Sequence, residues 1–342
     1  MDGERSSLKK HRIAIVGGSG YIGSAIANRL SEDYSVTVLD KTPLPTGLLN
    51  KVDYAEIDIL NVDEIEKSLR GIDLVIHTAI VQIPLINEQK RLGFNVNFLG
   101  TQNICKAVDE SSTAKGMILS GTWHVFGERD LDGIVDESFG FRPDKVEARA
   151  RLYALSKVSQ EINMRYYDEM STKIYGVIRM GTVLGEGMPE KTAANLFISK
   201  GLSGEPLTPY KHSMYRPMLY IDIKDVCEAY ARYAEKILNG QIHKEEDALA
   251  HIVNLCLNEP LTVIDLAQIV KEEIAELTGG RLNPKINVVD TGQAVLFDES
   301  DKLKLKVDNA KIRSFLGIRK LTSPRESLRR IISEHMKSQS SP

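Results

Sequence analysis

The chain has 342 residues, 42% of them hydrophobic, with a formal net charge of −3 and a pI near 6.2. This length allows a large buried core, and the near-neutral charge gives no general attraction to nucleic acid or to an anionic membrane. No stretch approaches the roughly 18 apolar residues of a membrane span, and the polar residues 1–12 predict no signal peptide. Three cysteines and seven histidines without ligand-like spacing favour a reduced, cytoplasmic protein that has no metal site.

The first recognisable pattern lies in residues 13–30, where a β-branched apolar run passes through three glycines into an amphipathic segment. Gly17, Gly20 and Gly23 lack a Cβ atom, so the backbone can turn sharply and its amides can approach a pyrophosphate. The N-terminus of the helix that follows adds partial positive charge. The pattern therefore predicts a strand, a tight turn and a helix that bind a dinucleotide.

The second pattern is the strand predicted over residues 35–40, which ends on Asp40 about 20 residues after the glycine turn. A carboxylate at this place accepts hydrogen bonds from the ribose hydroxyls of a bound adenosine. A 2′-phosphate would meet a like charge there, so Asp40 favours NAD over NADP, although the neighbouring Lys41 weakens that preference. We expect NAD as the cofactor.

Apolar runs typical of buried strands then alternate with helical patterns along the chain. We predict further strands over residues 54–58, 74–79, 117–120, 173–179 and 251–255. We predict helices over residues 62–69, 94–110, 151–170, 193–200, 223–238 and 262–277. The alternation indicates an α/β fold with a doubly wound, Rossmann-type parallel sheet.

Beyond residue 180 the regular alternation breaks down. We therefore predict a Rossmann domain that binds NAD over residues 1–180, to which segments of 210–260 return. Residues 181–342 are expected to form mostly a smaller C-terminal substrate-binding lobe. Residues 127–149 and 181–192 are predicted as loops, the first of them a charged surface loop.

Tyr153 and Lys157 lie four residues apart in a predicted helix, so both face the same side about one turn apart. An ammonium near a phenol lowers the pKa of the phenol, which lets Tyr153 act as a general base near neutral pH. Thr122 follows the strand at 117–120 and is expected at the carboxyl edge of the sheet, where its hydroxyl can hold the same substrate oxygen. A surface Tyr and Lys with a Thr in an unrelated turn is the alternative.

Together these motifs resemble the extended short-chain dehydrogenase/reductases, and within them the NAD-dependent nucleotide-sugar epimerase/dehydratase family that includes UDP-galactose 4-epimerase. The similarity covers nearly the whole chain. The segments that match the family are Gly17-x-x-Gly20-Tyr21-Ile22-Gly23, Asp40, Asp58-Ile59, Ile76-His77-Thr78-Ala79, Asn97-x-x-Gly100-Thr101, Ser120-Gly121-Thr122 and Tyr153-x-x-x-Lys157.

The resemblance implies a role for each matched residue. Tyr153 is implied as the base and Thr122 as its hydrogen-bonding partner. Lys157 is implied as the clamp on the nicotinamide ribose, and Asn97 as a support of the active-site backbone. The residues implied in cofactor binding are Gly17, Gly20, Tyr21, Ile22, Gly23, Asp40, Lys41, Asp58, Ile59, Thr78, Ala79, Ile80, Asn97, Tyr153 and Lys157. The residues implied in substrate binding are Thr122, His124, Asn195 and Arg216, the last two at a nucleotide diphosphate.

The reaction implied by the resemblance is 4-epimerisation of a UDP-sugar or another nucleotide sugar through a transient 4-keto sugar, with hydride moving to and from NAD. Trp123 and His124 stand where dehydratases of the family carry Asp-Glu, which disfavours elimination of water. The resemblance also implies a homodimer paired through the helices that begin near residues 95 and 151. Two other functions stay open: a dehydrogenase or reductase of a small alcohol or ketone, similar to threonine dehydrogenases, and a non-catalytic NAD-binding sensor or scaffold.

Overall fold

The structure, a computed structural model, describes residues 10–340. Its strands in chain order are β1 (Arg12–Val16), β2 (Ser35–Asp40), β3 (Asp53–Glu56), β4 (Leu74–His77), β5 (Gly116–Thr122), β6 (Gly133–Val135), β7 (Ile174–Met180), β8 (Thr182–Leu184), β9 (Pro217–Met218), β10 (Tyr220–Asp222), β11 (Ile252–Leu255), β12 (Leu261–Thr262) and β13 (Leu305–Val307). Its α-helices are α1 (Tyr21–Leu30), α2 (Val62–Ser68), α3 (Leu85–Glu88), α4 (Lys90–Phe94), α5 (Thr101–Glu110), α6 (Arg151–Met170), α7 (Ala193–Leu202), α8 (Ile223–Leu238), α9 (Val263–Leu277), α10 (Asp301–Lys304), α11 (Ala310–Leu316) and α12 (Pro324–Ser340).

A seven-stranded sheet in the order β11-β7-β5-β4-β1-β2-β3 forms the centre of the described chain. β1 pairs in parallel with β2 and β4, and β4 pairs in parallel with β5, so that Val16, Leu39, His77 and Leu119 lie at equivalent positions. Because carboxyl ends of parallel strands meet at one edge, the glycine turn, Asp40 and the residues after His77 come together there. The predicted doubly wound parallel sheet is confirmed.

The central strands supply the core. Residues 13–16, 74–77 and 116–122 are buried at every position, as expected for the middle strands of a doubly wound sheet. α1 buries Ile26 and Leu30, which recur at helical spacing. Each buried aliphatic side chain of this size contributes about 1.5–3 kcal/mol to folding.

Two segments predicted as loops contain short strands. β6 pairs with β13, and β8 pairs with β10. Glu128, Val135 and Glu147 are buried, so the prediction of a surface loop over residues 127–149 is wrong in this part. A three-residue strand leaves no periodic pattern, and its partner lies far away in the sequence, so local pattern reading cannot find it.

The helix predicted over residues 94–110 is interrupted. A π-helical turn covers Asn95–Gly100, between α4 and α5. The apolar spacing of the region is helical throughout, and the sequence pattern does not distinguish a π turn from an α-helical one.

The described chain divides into two compact units. The first comprises the residues up to Ser120 together with Ser159–Val177 and Tyr230–His251, and it contains β1 to β4 and α1 to α5. The second comprises Gly121–Val158, Ile178–Ala229 and the residues from Ile252 onward, and it contains the strand pairs β6–β13, β8–β10 and β9–β12. Within residues 10–340, no helix has both the length and the apolar character that crossing a bilayer requires.

Asp168 on α6 is the centre of a hydrogen-bonded cluster in the first unit. Its carboxylate accepts hydrogen bonds from the Tyr175 N–H at 2.8 Å, from His251 Nδ1 at 2.8 Å and from Lys244 Nζ at 2.6 Å. Burial raises the pKa of Asp168, but the hydrogen bonds from His251 and Lys244 outweigh burial and lower the pKa below its usual value. The ionised carboxylate therefore stabilises the fold.

Asp168→Asn keeps the shape of the side chain and removes its charge, so we expect the free energy of unfolding near neutral pH to fall by about 2 kcal/mol. Because the folded-state pKa of Asp168 is lowered, this loss is complete above about pH 5 and shrinks as the pH falls through the folded-state pKa. Urea unfolding at several pH values measures it, with exposed Asp144→Asn as the control. A loss of equal size at every pH contradicts the prediction.

Candidate active site

The glycine turn between β1 and α1 has no room for side chains. A Cβ atom on Gly17 would lie 2.4 Å from the Ala79 backbone nitrogen, and one on Gly23 would lie 2.7 Å from Thr78 Oγ1. Gly17 also has a φ of +81°, which residues with a side chain rarely adopt. No side chain caps α1 at Gly20, so the positive end of this helix is left open to an anion such as a phosphate.

Asp40 ends β2 and is held by backbone amides. Its Oδ2 atom accepts a hydrogen bond from the Ser19 N–H at 3.0 Å, and its Oδ1 atom accepts one from the Thr42 N–H at 2.9 Å. The carboxylate is thereby fixed beside the glycine turn with lone pairs left for ribose hydroxyls. Lys41 instead reaches Asp58, with its Nζ atom 2.6 Å from Asp58 Oδ2, so these two predicted cofactor residues form an ion pair.

Asn97 is fully buried and holds the backbone that follows β4. Its Oδ1 atom accepts a hydrogen bond from the Val81 N–H at 2.7 Å, and its Nδ2 atom donates one to the Val81 carbonyl at 3.1 Å. Asn97 lies in the π-helical turn, and such turns are frequent at functional sites. Gly100 of the same turn packs on buried Ile59, whose Cδ1 atom lies 2.5 Å from the place of a Cβ atom on Gly100.

The remaining predicted cofactor residues lie around the same turn. The Thr78 hydroxyl is 2.9 Å from the carbonyl oxygens of both Val16 and Gly17, which ties the end of β4 to the glycine turn. Tyr21 and Ile22 start α1, and Ile80 follows Ala79 after β4; all three are half-buried.

Thr122, Tyr153 and Lys157 lie in the second unit. Thr122 ends β5, and its hydroxyl shares a hydrogen bond with Tyr153 near the start of α6. Lys157 lies one turn further along α6, where burial lowers its pKa to about 7. The structure thus places a threonine hydroxyl on the phenol and a buried amine one helical turn away.

The pKa of Tyr153 is raised. Burial raises it, and the hydrogen bond with Thr122 offsets only part of that effect. The prediction that the pKa of this phenol is lowered is therefore wrong for this structure. The physical reason is that removing a phenolate from water outweighs the favourable contacts around it.

Beside Thr122 lie four charged or titratable side chains of the second unit: His124, Glu128, Glu147 and Arg216, here called the ionic cluster. His124 Nε2 lies 3.3 Å from Glu128 Oε1. Arg216 Nη1 lies 2.8 Å from Glu147 Oε1 and 3.7 Å from Glu128 Oε1. Glu128 and Glu147 are buried, and the Glu147 N–H donates to Glu128 Oε2 at 2.9 Å.

Sequence reasoning identifies His124 and Arg216 as candidates but misses Glu128 and Glu147. Both glutamates lie in the segment predicted as a surface loop, where acidic residues are ordinary. The four-residue spacing of His124 and Glu128 was the available signal, but it gains meaning only once burial is known.

Asn195 and Arg216, predicted at a diphosphate, both have protein partners. Asn195 Nδ2 donates to the Met188 carbonyl at 3.1 Å, and Arg216 is paired with Glu147. Their contact with a diphosphate stays a prediction. Among the residues that the structure describes, no group of three or more His, Cys, Asp or Glu side chains is arranged to hold a metal ion.

Comparison with known proteins decides the family. The model of the NAD dependent epimerase/dehydratase family matches residues 13–249. The chain belongs to this family. It is therefore an NAD-dependent enzyme with the extended short-chain dehydrogenase/reductase architecture that its motifs resemble.

The members to which it is similar differ in activity. A putative UDP-glucose 4-epimerase of Methanocaldococcus jannaschii is 30% identical over 274 residues, which span 77% of this chain and 82% of the relative. UDP-glucuronic acid decarboxylase 1 of Danio rerio is 23% identical over 279 residues, 79% of this chain and 62% of the relative. The solved structure of the Thermus thermophilus UDP-glucose 4-epimerase in complex with NAD shares the fold, with a TM-score of 0.74, 21% identity and coverage of 95% and 99% of the two chains.

The first unit of this family member fits the cofactor. Neighbouring atoms occupy the positions that Cβ atoms would take at Gly17 and Gly23. A turn that binds a pyrophosphate needs such close packing. The open N-terminus of α1 would hold the phosphates, and Asp40 would hold the adenosine ribose.

We expect Gly17→Ala to weaken NAD binding at least about tenfold, because the new methyl group collides with Ala79 and the backbone φ disfavours it. Isothermal titration with NAD measures the change. Gly47→Ala is the matched control, since a Cβ atom there has no neighbour within 4 Å. Unchanged affinity in Gly17→Ala, with circular dichroism showing a folded protein, contradicts the prediction.

Proposed function

We propose that the protein is a nucleotide-sugar 4-epimerase that acts on a UDP-sugar through a transient 4-keto sugar. The observation that carries the proposal is the Thr122 hydroxyl hydrogen-bonded to Tyr153, with buried Lys157 one turn along the same helix. The similarity to the putative UDP-glucose 4-epimerase of M. jannaschii supports the choice of substrate class.

Each residue then has a defined task. Tyr153 takes the proton of the sugar 4-hydroxyl, and Thr122 is its hydrogen-bonding partner. Lys157 offers N–H donors to the nicotinamide ribose, and Asn97 keeps the backbone at Val81 in place. The chemistry that bound NAD supplies is acceptance of hydride from the sugar carbon and its return to the opposite face.

Trp123 supports epimerisation over elimination of water. The indole is buried, and its Nε1–H lies 3.4 Å from Thr182 Oγ1, so this side chain has a packing role. Elimination needs an acid for the leaving hydroxyl, and an indole cannot supply one.

Tyr153→Phe is expected to lower kcat for interconversion of UDP-glucose and UDP-galactose by at least about 10²-fold, because the general base is removed. The assay follows product formation without added NAD. Tyr166→Phe on the exposed face of the same helix is the control and should leave kcat unchanged. NAD binding without turnover of any nucleotide sugar or alcohol would instead favour the non-catalytic sensor or scaffold.

A second candidate is an NAD-dependent dehydrogenase or reductase of a small alcohol or ketone. The observation that favours it is the pairing of Arg216 with Glu147 and Glu128, which neutralises a cation expected to bind a diphosphate. A substrate without a diphosphate has no need of that charge. Accumulation of NADH in proportion to alcohol consumed, with no turnover of UDP-sugars, would establish this function in place of epimerisation.

We propose that two copies pair through α6 and the helical region near residue 95. In the first unit, Phe94, Leu99, Ile162, Tyr166 and Met170 are large apolar side chains about half exposed or more. Gln102 Nε2 donates to the Tyr167 hydroxyl at 2.9 Å, so the two helical regions lie side by side. Exposed apolar side chains on adjacent helices are typical of a helix-bundle interface.

Ile162→Glu is expected to shift the protein from dimer to monomer, because the charge would be buried without a partner in the interface. Sedimentation velocity measures the state. Leu49→Glu is the matched control, since Leu49 is equally exposed but lies elsewhere in the first unit. A wild-type monomer, or an Ile162→Glu dimer, contradicts the proposed interface.

We also propose a cytoplasmic role in carbohydrate metabolism, with a small-molecule substrate and no nucleic-acid or membrane partner. Cys105, Cys227 and Cys256 form no disulfide bonds, as is usual in a reducing compartment. The net charge of −3 gives nucleic acid and anionic lipid no electrostatic attraction.

A further inference from the structure

Gln160 of α6 is a polar side chain in the interior of the first unit that none of the sequence motifs includes. The residue is fully buried. Its Nε2 atom donates a hydrogen bond to Thr101 Oγ1 at 2.9 Å and lies 3.5 Å from the Ala79 carbonyl oxygen. Burying an amide costs free energy unless the amide is hydrogen-bonded, so these two contacts account for a glutamine in this interior.

The neighbours of Gln160 determine the orientation of its amide. The Thr101 hydroxyl donates its one hydrogen to the Asn97 carbonyl at 3.0 Å, so its oxygen can only accept from Gln160. The Ala79 carbonyl oxygen also only accepts. The NH₂ group therefore faces both acceptors, and the carbonyl oxygen of the glutamine side chain points away from them.

Thr101 connects Gln160 to the end of β4. Its Oγ1 atom also lies 3.0 Å from His77 Nε2, and His77 and Thr101 are both fully buried. Because the hydroxyl hydrogen is on the Asn97 carbonyl, its two lone pairs are left for the nitrogens of Gln160 and His77. Each hydrogen-bonding capacity of this hydroxyl is thus used, which fixes the separation of α6 from β4 at this level.

The backbone that follows β4 is held from three sides. Thr78 ties its start to the glycine turn, and the Asn97 side chain holds its end at Val81. Gln160 lies against its middle, at the Ala79 carbonyl. A segment without regular secondary structure thereby has a defined conformation in the described chain.

The strand order indicates which half of a dinucleotide this backbone would meet. β2 and β4 flank β1 on opposite sides, and the glycine turn follows β1. Asp40 at the end of β2 would hold the adenosine ribose, and the glycine turn would hold the phosphates. The nicotinamide half then lies on the other side of β1, beside the backbone that follows β4.

We propose that Gln160 is a positioning residue for the nicotinamide half of the cofactor. Its amide holds the Ala79 carbonyl and, through the Thr101 hydroxyl, the π-helical turn that presents Asn97. A backbone already held in its binding conformation loses less entropy when the cofactor binds. The inference depends on NAD binding, which belongs to the family, and it does not depend on epimerisation.

Gln160→Met keeps the length of the side chain and removes its N–H donors. We expect the Kd for NAD to rise by about tenfold, because the Ala79 carbonyl and the Thr101 hydroxyl lose a buried partner. The Kd for AMP, which carries only the adenosine half, should change by less than about twofold, since Thr78 still ties this backbone to the glycine turn. Isothermal titration measures both constants.

Gln102→Met is the matched control. This glutamine also lies on a helix of the first unit, but its Nε2 atom donates to the Tyr167 hydroxyl at 2.9 Å, so both affinities should stay unchanged. Equal weakening of NAD and AMP in Gln160→Met would overturn the proposal, because it indicates a general loss of the fold. Unchanged NAD affinity in a folded Gln160→Met would also overturn it.

Two variants of Thr101 test the same connection if Gln160→Met does not fold. Thr101→Val removes the hydroxyl and should raise the Kd for NAD by about tenfold, with the Kd for AMP again unchanged. Thr101→Ser keeps the hydroxyl and should bind NAD within about threefold of the wild-type affinity. Equal losses in Thr101→Ser and Thr101→Val would show that the hydroxyl is not what matters, and would overturn the proposal.

Hydrogen exchange tests the positioning role without any ligand. Deuterium uptake in Gln160→Met should be faster over residues 78–82 and unchanged over residues 12–23, as followed by mass spectrometry of peptides. Weaker NAD binding without faster exchange over residues 78–82 would indicate that Gln160 acts on the cofactor directly, and the positioning role would be wrong. None of these measurements needs turnover, so they remain decisive even if no nucleotide sugar is epimerised.

Discussion

The close approach of the end of β1 to the end of β4 is the constraint on which the cofactor site depends. A Cβ atom on Gly17 would stand 2.4 Å from the Ala79 nitrogen, and one on Gly23 would stand 2.4 Å from the Gly17 carbonyl oxygen. Only glycine meets both conditions, and the result is that the positive end of α1 comes to the carboxyl edge of the parallel strands. The field of a helix end fades within about one turn, so a phosphate profits from it only if the backbone comes this near. Asp40 accepts a hydrogen bond from the Ser19 N–H of the same turn, so the glycines also determine where this carboxylate lies.

A different constraint governs the second unit, where ions are buried together. Removing a charge from water costs several kcal/mol even after the protein relaxes, so Glu128 and Glu147 are tolerated because Arg216 offsets them. This arrangement commits Arg216 to the interior of the protein and reduces the positive potential that it offers to a ligand. Groups other than Arg216 would then have to bind most of a nucleotide diphosphate. A small uncharged alcohol needs no cation for its binding. The pairing that keeps these carboxylates buried thus also affects which substrate the second unit can bind.

The parts of the fold that could be predicted are the elements whose apolar spacing is visible within a single segment of the sequence. α6 runs over Arg151–Met170 and α8 over Ile223–Leu238, as the apolar spacing predicts, and β2 covers Ser35–Asp40. The pairing of β6 with β13 could not be predicted, because each is three residues long and the two lie far apart in the chain. Glu128 was missed for the same reason: its burial depends on Arg216, a residue that no local pattern connects to it. Charged residues in a predicted loop therefore indicate an exposed segment only if no residue distant in the sequence pairs with them in the fold.

Tyr153 shows why spacing alone does not determine chemistry. Helical spacing brings Lys157 within one turn of the phenol. The pKa of each group, however, depends mainly on its burial away from water. The burial that raises the pKa of Tyr153 also lowers the pKa of Lys157 to about 7, because loss of water disfavours the charged form of both groups. His124 Nε2 lies 3.3 Å from Glu128 Oε1, so a buried carboxylate also contributes to the electrostatics around Thr122. The charges around the proposed base therefore extend beyond the Tyr-x-x-x-Lys motif to a histidine and a carboxylate that only the folded chain brings together.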